Sequence, residues 1–393
     1  ISNNFAGNHF PMSRCWYGIR NDEPVDYASS SHGTHTTGTV LGLDSNTNDT
    51  IGVAFNAKWI ASDPVASNEN DLLTPIEFMN VFQWVFDPDG NPETTSDVPK
   101  VINNSWGYDY TLAAQFGACE LAETDILIAL ETAGISSPFS AGNEGPGAST
   151  IGFPAMRAFN LVNPMAIGAL EPSGDAIASF SSRGPTPCID VEGPLQIKPE
   201  VAAPGVAIRS CVGNNEYAEL QGTSMSCPHV SGVLLLLSEA FPMASAYELK
   251  FALYQTAIDL GVVGEDNNFG RGLIDALAAF NYLAETYTPV SPVTNEFDLK
   301  SEIVSPNQNL VCPDQTNFNM QIRVSNTGTN QISDFNLMLY LNDLLVLDTI
   351  VIATLEGGEN IIVETPNYSF IQGKNFLHSV VEGIQDIREY DIF

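Results

Sequence analysis

Residues 222–232 read GTSMSCPHVSG and residues 32–42 read HGTHTTGTVLG, and these two stretches decide how the rest of the chain is interpreted. Each places a reactive side chain, Ser224 in the first and His32 in the second, among small residues that let another backbone approach closely. A serine whose proton an imidazole can accept is the starting point of nucleophilic catalysis. The two stretches therefore predict a nucleophile and a general base.

Both residues are expected at the start of a helix. The apolar run after Ser224, within SMSCPHVSGVLLLLSEAF, is long enough for several turns, and Pro228 comes early enough to be tolerated in a first turn. The free N–H groups and the dipole of a helix N-terminus favour a developing negative charge. His32 is expected to open a second helix, in which Val40 and Leu41 pack against a sheet.

The two stretches resemble those of the subtilisin-type serine proteases, the subtilase family. Any one further matching string is a weak signal, whereas their joint order over roughly residues 30–285 is specific. The strings are INNSWG at 102–107, SAGNEGPG at 140–147, IGFPA at 151–155, ASFSSRGP at 178–185, KPEVAAPG at 198–205 and FGRGLIDALAA at 269–279.

The resemblance implies a role for each candidate catalytic residue. His32 is the base and His35 is its structural neighbour, Ser224 is the nucleophile, and Asn143 is the side-chain donor to the oxyanion. Loss of such a donor in a subtilisin costs about 10²–10³ in turnover. The implied activity is endopeptidase cleavage through an acyl-enzyme.

The resemblance also implies a pocket for the residue before the scissile bond. Small residues on its sides leave an open slot, which predicts broad specificity that favours bulky apolar side chains. The residues implied in substrate binding are Ser105, Trp106, Gly107, Ala141, Gly142, Gly152 and Thr223.

One part of the family pattern is not found. The family's order is Asp, His, Ser, with the Asp in a D-[ST]-G string about thirty residues before the His. Residues 1–31 contain no such string, and Asp22, Glu23 and Asp26 have the composition of a solvated loop. Either the Asp lies upstream or on a separately processed N-terminal fragment, or the chain is an inactive protease-fold scaffold used for binding. The presence of nucleophile, base and oxyanion donor together favours the active enzyme.

The order of apolar segments predicts the fold class. Short runs such as VINNSW and LVNPMAIGAL alternate with helical stretches such as CELAETDILIALETAG and ASAYELKFALYQTAIDL. This pattern is typical of an α/β domain, a mostly parallel sheet with helices on both faces, and we assign it to residues 1–287. The segment ISSPFSA is expected as a buried central strand, although Pro138 cannot donate a ladder hydrogen bond.

The composition changes after residue 287. Residues 288–296 form a Pro-punctuated linker, and residues 297–393 alternate apolar and polar positions between turn signals, which predicts a small antiparallel β-sandwich. The V-S-N-T-G string at 324–328 resembles an immunoglobulin-like module of the adhesion type. A spacer or stabilising domain without a ligand is the competing interpretation.

The charge balance restricts the partners and the location of the protein. Fourteen Lys and Arg residues against 47 Asp and Glu give a net charge of −33, which argues against nucleic acid or an anionic membrane as partner. No segment approaches the eighteen or so apolar residues of a membrane span. The charge agrees with a secreted protein that acts on peptides or proteins, and the resemblance of the C-terminal module implies a bacterial one. The charge and the appended β domain disfavour a cytosolic processing enzyme.

The sequence calls for no cofactor, although the loop 43–53 suits a structural calcium ion. Asp44, Asn46 and Asp49 are oxygen donors of the right hardness. A solvated Asx-rich turn is the competing interpretation.

Six cysteines in 393 residues do not make a disulfide-dense scaffold. Cys227 resembles the buried free thiol that many relatives carry at this place. Cys188 and Cys211, which flank the KPEVAAPG segment, are the expected pair if a disulfide exists. No ligand spacing for a structural zinc ion appears.

Overall fold

The chain divides into two units, Ile1–Val290 and Ser291–Ile392, in the computed structural model. Each unit has its own sheets and its own core. Of the predicted linker 288–296, residues 291–296 lie outside the described residues. The structure describes residues 15–22, 31–44, 49–55, 57–64, 75–95, 97–109, 119, 125–188, 190–213, 216–290, 299–305, 311–312, 316–326, 328, 330–341, 344–370, 373–374 and 377–383.

The helices of the first unit follow the stretches that the sequence marks as helical. His32 opens its helix as expected, and the long apolar run after the nucleophile forms one continuous helix. Among the described residues, no helix combines the length and the apolar composition needed to cross a membrane. The helices are α1 His32–Leu41, α2 Pro75–Trp84, α3 Asp125–Thr132, α4 Thr223–Ala240, α5 Ala246–Thr256 and α6 Ala276–Ala284.

Three strands of the first unit form a parallel sheet that lies between two layers of helices. In this sheet residues 138–140 pair in parallel with residues 165–170, which pair in parallel with residues 201–204, whereas residues 208–212 and 216–220 form an antiparallel hairpin. This confirms the predicted α/β fold class. The strands are β1 Trp16–Tyr17, β2 Leu43–Asp44, β3 Asp49–Thr50, β4 Ala61–Ser62, β5 Pro138–Ser140, β6 Met165–Leu170, β7 Val201–Pro204, β8 Ile208–Val212 and β9 Glu216–Leu220.

Alternate residues of the central strands face the two layers. Met165 and Ile167 pack with the apolar side chains of α4, α5 and α6 in one core. Ala166, between them, packs with Leu127 and Leu130 of α3 in a second core on the opposite face. Because successive strand residues point to opposite faces, both faces of β6 are buried, as its run of small and apolar residues predicts.

The structure explains how Pro138 is tolerated in a buried central strand. Bridges join residues 101 and 104 to residues 136 and 139 in parallel, so Pro138 lies between two partner segments. The ladder runs from Ser136 N to Lys100 O and from Ser140 N to Asn104 O. The bond missing between them is the one that a Pro138 N–H would donate to Ile102 O.

The side chain of Asn104 supplies that missing bond. Its Nδ2 lies 3.0 Å from Ile102 O and 3.2 Å from Pro138 O, and the residue is 2% exposed. The Ser137 hydroxyl lies 3.3 Å from the same amide. Since a buried carbonyl without a donor costs about 1–3 kcal/mol, the amide makes the proline acceptable in the sheet.

The expected cysteine pair is wrong. Cys188 is bonded to Cys119 with the two Cα atoms 5.5 Å apart, and Cys211 is a buried free thiol. The two predicted partners belong to different cores. Cys188 packs in the core that contains Val191, whereas Cys211 packs against α1 next to Gly38. Flanking the same strand in sequence therefore did not bring them together.

Cys227 is a buried free thiol, as the sequence comparison implies. Burial within α4 raises the pKa of the thiol to about 12, because the thiolate would lose its hydration there. A thiol that stays protonated is unreactive, so this residue has a packing role.

The second unit consists of antiparallel strands, as predicted. One three-stranded sheet has residues 321–326 between 299–305 and 360–364, and the other has residues 332–341 between 344–355 and 377–383. Ile322 and Val324 from the first sheet share one apolar core with Phe335, Leu337 and Leu339 from the second. The strands are β10 Leu299–Ser305, β11 Val311–Cys312, β12 Thr316–Phe318, β13 Gln321–Asn326, β14 Ile332–Leu341, β15 Leu344–Leu355, β16 Asn360–Glu364, β17 Tyr368–Phe370, β18 Gly373–Lys374 and β19 Leu377–Gly383.

Replacing Asn104 tests the repair of the proline strand. Asn104→Ala leaves Ile102 O without its donor, and we expect the free energy of unfolding to fall by about 1–3 kcal/mol. Urea denaturation in a Ser224→Ala background, which prevents self-cleavage, measures the change. Asn281 is exposed on α6, so Asn281→Ala is the matched control and is expected to stay within about 0.5 kcal/mol. Equal losses in both variants would contradict the assignment.

Candidate active site

The three predicted catalytic residues line one cleft of about 560 Å³. His32 comes from the first turn of α1, Asn143 from the loop after β5, and Ser224 from the first turn of α4. These positions lie far apart in sequence, and the carboxyl end of the parallel sheet brings them together. The remaining lining residues are Val206, Ala207, Glu219, Leu220, Gln221 and Met225.

Ser224 occupies the second position of its helix. Gly222 precedes the helix with a φ of 150°, a conformation that side-chain-bearing residues rarely adopt. Gly222 leads the chain sharply from β9 into α4, which places Ser224 in the first turn, where N–H groups have no acceptor within the helix. Ser224 is half-buried, as a nucleophile that must meet substrate requires.

Pro228 lies in the second turn of α4, not in the first as expected. It is the sixth residue of the helix, and a regular helix would use its N–H to bond the carbonyl of Ser224. The Ser105 hydroxyl donates to that carbonyl instead, over 2.8 Å. In return the Ser224 hydroxyl donates to Ser105 O over a longer 3.3 Å. The proline therefore frees a carbonyl by which a neighbouring segment anchors the nucleophile.

The anchor is itself held by two further side chains. Asn103 Nδ2 donates to Ser105 Oγ over 2.9 Å, and Ser231 Oγ donates to Asn103 Oδ1 over 2.9 Å. Ser231 lies two turns further along the same helix as Ser224. The hydrogen-bonded chain therefore begins and ends on α4 and fixes the segment before Trp106 against the nucleophile's helix.

The carbonyl oxygen and the amide nitrogen of Asn143 have different tasks. Oδ1 accepts from Thr223 N at 2.9 Å and lies 3.1 Å from Thr223 Oγ1. The helix start lacks a side-chain cap of its own, because Gly222 precedes it, and Asn143 provides that cap from another segment. With Oδ1 committed to the helix, Nδ2 is the group that can donate to a ligand beside Ser224.

Gly142 and Glu144 hold the Asn143 loop in place. The Glu144 carboxylate accepts from Asn143 N at 2.8 Å, and Ser182 Oγ donates to the same carboxylate at 3.0 Å. Gly142 has a φ of +113°, and a Cβ there would lie 2.5 Å from Glu144 Oε2. Only glycine fits this position.

His35 is buried and links α1 to the hairpin that borders the cleft. Its Nε2 lies 2.9 Å from Ile208 O on β8 and 3.2 Å from Ala218 O on β9. Burial lowers the pKa of the imidazole, the two carbonyl bonds oppose this effect, and the charge of His32 adds to it. The arrangement suits a neutral structural histidine, the role that the resemblance implies.

The segments implied in substrate binding lie side by side. Tyr108 N donates to Phe153 O and Phe153 N donates to Tyr108 O, at 2.9 and 2.8 Å. Gly152 N donates to Ala141 O at 2.9 Å, so the three segments around Gly107, Ala141 and Gly152 form one wall.

The ring of Trp106 does not belong to this open slot. It packs against Phe139 with the ring centroids 5.8 Å apart, and its Nε1 donates to Asn104 Oδ1. The tryptophan therefore contributes its backbone to the wall and its ring to the core. Ser105, by contrast, contacts the nucleophile itself.

The structure describes only some of the polar residues before His32 and in the suggested calcium loop. Asp22 is exposed, whereas Glu23, Asp26 and Asn46 lie outside the described residues. Asp44 and Asp49 face each other in the β2–β3 hairpin.

Asp49 is bound by a cation of the protein itself. Arg209 Nη2 lies 2.7 Å from Asp49 Oδ2, and the guanidinium stacks 4.0 Å above the ring of Tyr217. The hydrogen bond from Arg209 lowers the pKa of the Asp49 carboxyl. Arg209 thus engages both oxygens of the Asp49 carboxylate, and Asn46 lies outside the described residues, so the calcium site stays a prediction.

Sequence reasoning missed the far wall of the cleft. Val206 and Ala207 precede β8, and Glu219, Leu220 and Gln221 end β9 and lead into the nucleophile's helix. The signal that could have found them is proximity, since Glu219 lies only five residues before Ser224.

Comparison with known proteins gives consistent matches. A model of the family described as Subtilase family matches residues 7–272. Bacillopeptidase F of Bacillus subtilis is 36% identical over 286 residues, which is 69% of this chain and 18% of that protein. Subtilisin DY of Bacillus licheniformis is 32% identical over 257 residues, 65% of this chain and 80% of that protein. Subtilisin BL of Lederbergia lenta is 30% identical over the same length, with the same shares.

Removing the Ser105 hydroxyl tests the anchor on the nucleophile. Ser105→Ala leaves the Ser224 carbonyl without a donor, and a loss of about 1–1.5 kcal/mol in positioning corresponds to about a tenfold slower reaction of Ser224 with a fluorophosphonate. The labelling rate is measured by quenching samples at successive times and quantifying the labelled protein. Ser105→Thr retains the hydroxyl and is expected to restore most of it; a Thr variant as slow as the Ala variant would show that the hydroxyl has no part in positioning.

The lowered pKa of His35 predicts loss of stability on acidification. Above about pH 6.5 the imidazole is neutral in the folded and the unfolded chain, so it adds no pH dependence. Below that pH the unfolded chain binds the proton first, so stability falls as the pH falls, by at most about 1.36 kcal/mol per pH unit.

Urea midpoints at pH 5, 6 and 7 measure this slope in the Ser224→Ala background. His35→Gln keeps an N–H donor for Ile208 O but does not titrate, so its slope is expected to be shallower than that of the parent. Identical slopes would show that another group causes the acid sensitivity.

Proposed function

The chain belongs to the subtilase family, whose model matches residues 7–272, and from that premise we propose that it is a secreted serine endopeptidase. Ser224 is the nucleophile, His32 the general base, and Asn143 the oxyanion donor. The observation that carries the proposal is the single cleft lined by these three side chains.

The proposed reaction proceeds through an acyl-enzyme. Ser224 Oγ attacks the peptide carbonyl while His32 accepts its proton, which gives a tetrahedral intermediate with a negatively charged oxygen. His32 then donates the proton to the leaving amine, and the peptide C–N bond breaks. Water, deprotonated by His32, attacks the ester in the same way and releases the acid product. A carboxylate that orients His32 completes the mechanism.

The helix start and the Asn143 loop are suited to hold the oxyanion. Nδ2 of Asn143 and the backbone N–H of Ser224 are the two donors, and the N-terminus of α4 adds its dipole. Because Oδ1 of Asn143 is fixed to Thr223 N, the donor is in position before substrate binds. Such preorganisation avoids reorientation of groups during the reaction, which is the main contribution of an oxyanion site.

The acyl side of the substrate is proposed to lie along the wall of Ser105, Gly107, Ala141, Gly142 and Gly152. Their small side chains leave room for a bulky apolar residue before the scissile bond. Glycines at 107 and 152 are required by close backbone approach, since a Cβ at either would lie within 2.9 Å of a carbonyl oxygen on the facing segment. Thr223 braces this wall, with its hydroxyl 3.2 Å from Gly142 N.

The proposed location is extracellular. The net charge of −33 keeps the folded protein soluble and hydrated in water, and the similar proteins named above come from bacteria. The second unit is proposed to be an immunoglobulin-like accessory domain. A separate N-terminal fragment that brings the orienting carboxylate is a proposed partner.

Labelling with a fluorophosphonate tests the proposed function. We expect covalent labelling of Ser224, its loss in Ser224→Ala, and cleavage of a peptide library with bulky apolar residues before the cut. Asn143→Ala is expected to lower kcat by about 10²–10³, because the oxyanion loses one donor. The measurement is made on residues 1–393 and on a version lengthened upstream.

The two versions separate the alternatives. Labelling of both, or of the longer version alone, supports the endopeptidase and shows which segment supplies the orienting carboxylate. Labelling of neither would favour the binding scaffold without activity. A library profile dominated by Arg, Lys or Asp before the cut would contradict the apolar pocket while leaving the endopeptidase in place.

A further inference from the structure

The far wall of the cleft carries one acidic side chain. Glu219 is exposed at the end of β9, and it is the one carboxylate among the residues that line the cleft. Val206, Ala207 and Leu220 give the same wall an apolar surface. Apolar residues beside one acidic residue are complementary to a long side chain with a cationic end.

The nearest arginine is engaged elsewhere. Arg209 lies directly opposite Glu219 in the β8–β9 ladder, where opposite charges would ordinarily pair across the strands. Its guanidinium instead binds the Asp49 carboxylate at 2.7 Å and stacks over Tyr217. Among the residues that the structure describes, Glu219 therefore has no cationic partner and its charge is open to a ligand.

The position of this wall assigns it to one side of the substrate. The segments proposed for the acyl side, around Gly107, Ala141 and Gly152, form a separate wall. His32, which must reach the leaving amine to protonate it, lines the same cleft as Glu219. Because the acyl side is proposed to lie along the other wall, the Glu219 wall is the one left for residues after the scissile bond.

We propose that Glu219 gives this protein a preference for a lysine or arginine at the first or second residue after the scissile bond. The aliphatic part of that side chain lies against Val206, Ala207 and Leu220, and its cationic end binds the Glu219 carboxylate. The inference rests on the proposed endopeptidase function and adds the class of substrate to it.

The size of the preference follows from the exposure of the carboxylate. Ion pairs at exposed positions are weak, and we expect kcat/KM to favour Lys over Gln by roughly twofold to fivefold. The preference should shrink at 0.5 M salt, where the screening length falls to a few ångströms. The large net charge attracts every cationic peptide, so the control must hold that charge constant.

Quenched fluorescent peptides with one common acyl side test the proposal. They carry Lys, Gln or Glu at the first or the second position after the cut, and kcat/KM is measured for each with the full chain. Glu219→Gln is expected to bring the Lys-to-Gln ratio close to one, and Glu219→Lys to favour Glu over Lys. Glu216→Gln removes the same charge from the other end of β9, outside the cleft, and is expected to keep the parent ratio.

The outcomes distinguish this inference from the function on which it rests. Cleavage of all peptides with a Lys-to-Gln ratio near one in the parent would overturn the role of Glu219 alone. A preference that falls equally in Glu219→Gln and Glu216→Gln would assign it to the overall charge and would also overturn the proposal. If no peptide is cleaved, the endopeptidase function itself fails, and the inference fails with it.

Discussion

Two partly buried carbonyl groups that prolines cannot satisfy determine how the sheet and the helix that carries Ser224 are joined. Pro138 in β5 leaves Ile102 O without its ladder donor, and Pro228 in α4 leaves Ser224 O without its helical donor. Two consecutive side chains fill both places, Asn104 at the first and Ser105 at the second. Each unfilled carbonyl would cost about 1–3 kcal/mol, so the segment that carries both side chains ties the central sheet to the reactive serine.

One side chain likewise has two tasks at the proposed oxyanion donor. Asn143 Oδ1 caps the helix that Gly222 cannot cap, and the amide on the other end of the same side chain is left for substrate. Loss of Asn143 would therefore affect the helix start as well as the oxyanion. Glu144 and Ser182 fix the loop from behind, which leaves the asparagine little freedom to turn away.

The sequence was sufficient for features that depend on local pattern. It predicted the helix at His32, the helix after the nucleophile, the parallel sheet and the antiparallel strands of the second unit. It was insufficient where distant segments meet. Nothing local to Asn104 shows that its amide replaces a proline N–H thirty-four residues away. The choice of Cys119 as the partner of Cys188 likewise depends on which core each thiol enters.

The wall of the cleft was missed for a related reason. The strings that resemble the family mark the predicted catalytic side chains. Glu219 instead belongs to a hairpin, and among the described residues its carboxylate is left unpaired because Arg209 binds Asp49. In a protein with a net charge of −33, the sequence alone does not distinguish one acidic residue of an exposed strand from the many others. Its place beside the nucleophile is a property of the fold.

The anchor on Ser224 also explains how the serine can be held firmly and still react. The short bond, 2.8 Å from Ser105 Oγ, is made to the backbone carbonyl, so it fixes the position of the residue without using its hydroxyl. The hydroxyl itself makes only the long 3.3 Å bond to Ser105 O. A bond of that length is weak, so the hydroxyl can rotate towards an imidazole at little cost. In the proposed mechanism, positioning therefore depends on the carbonyl and reaction on the hydroxyl, so the anchor holds the proposed nucleophile without engaging the group that would react.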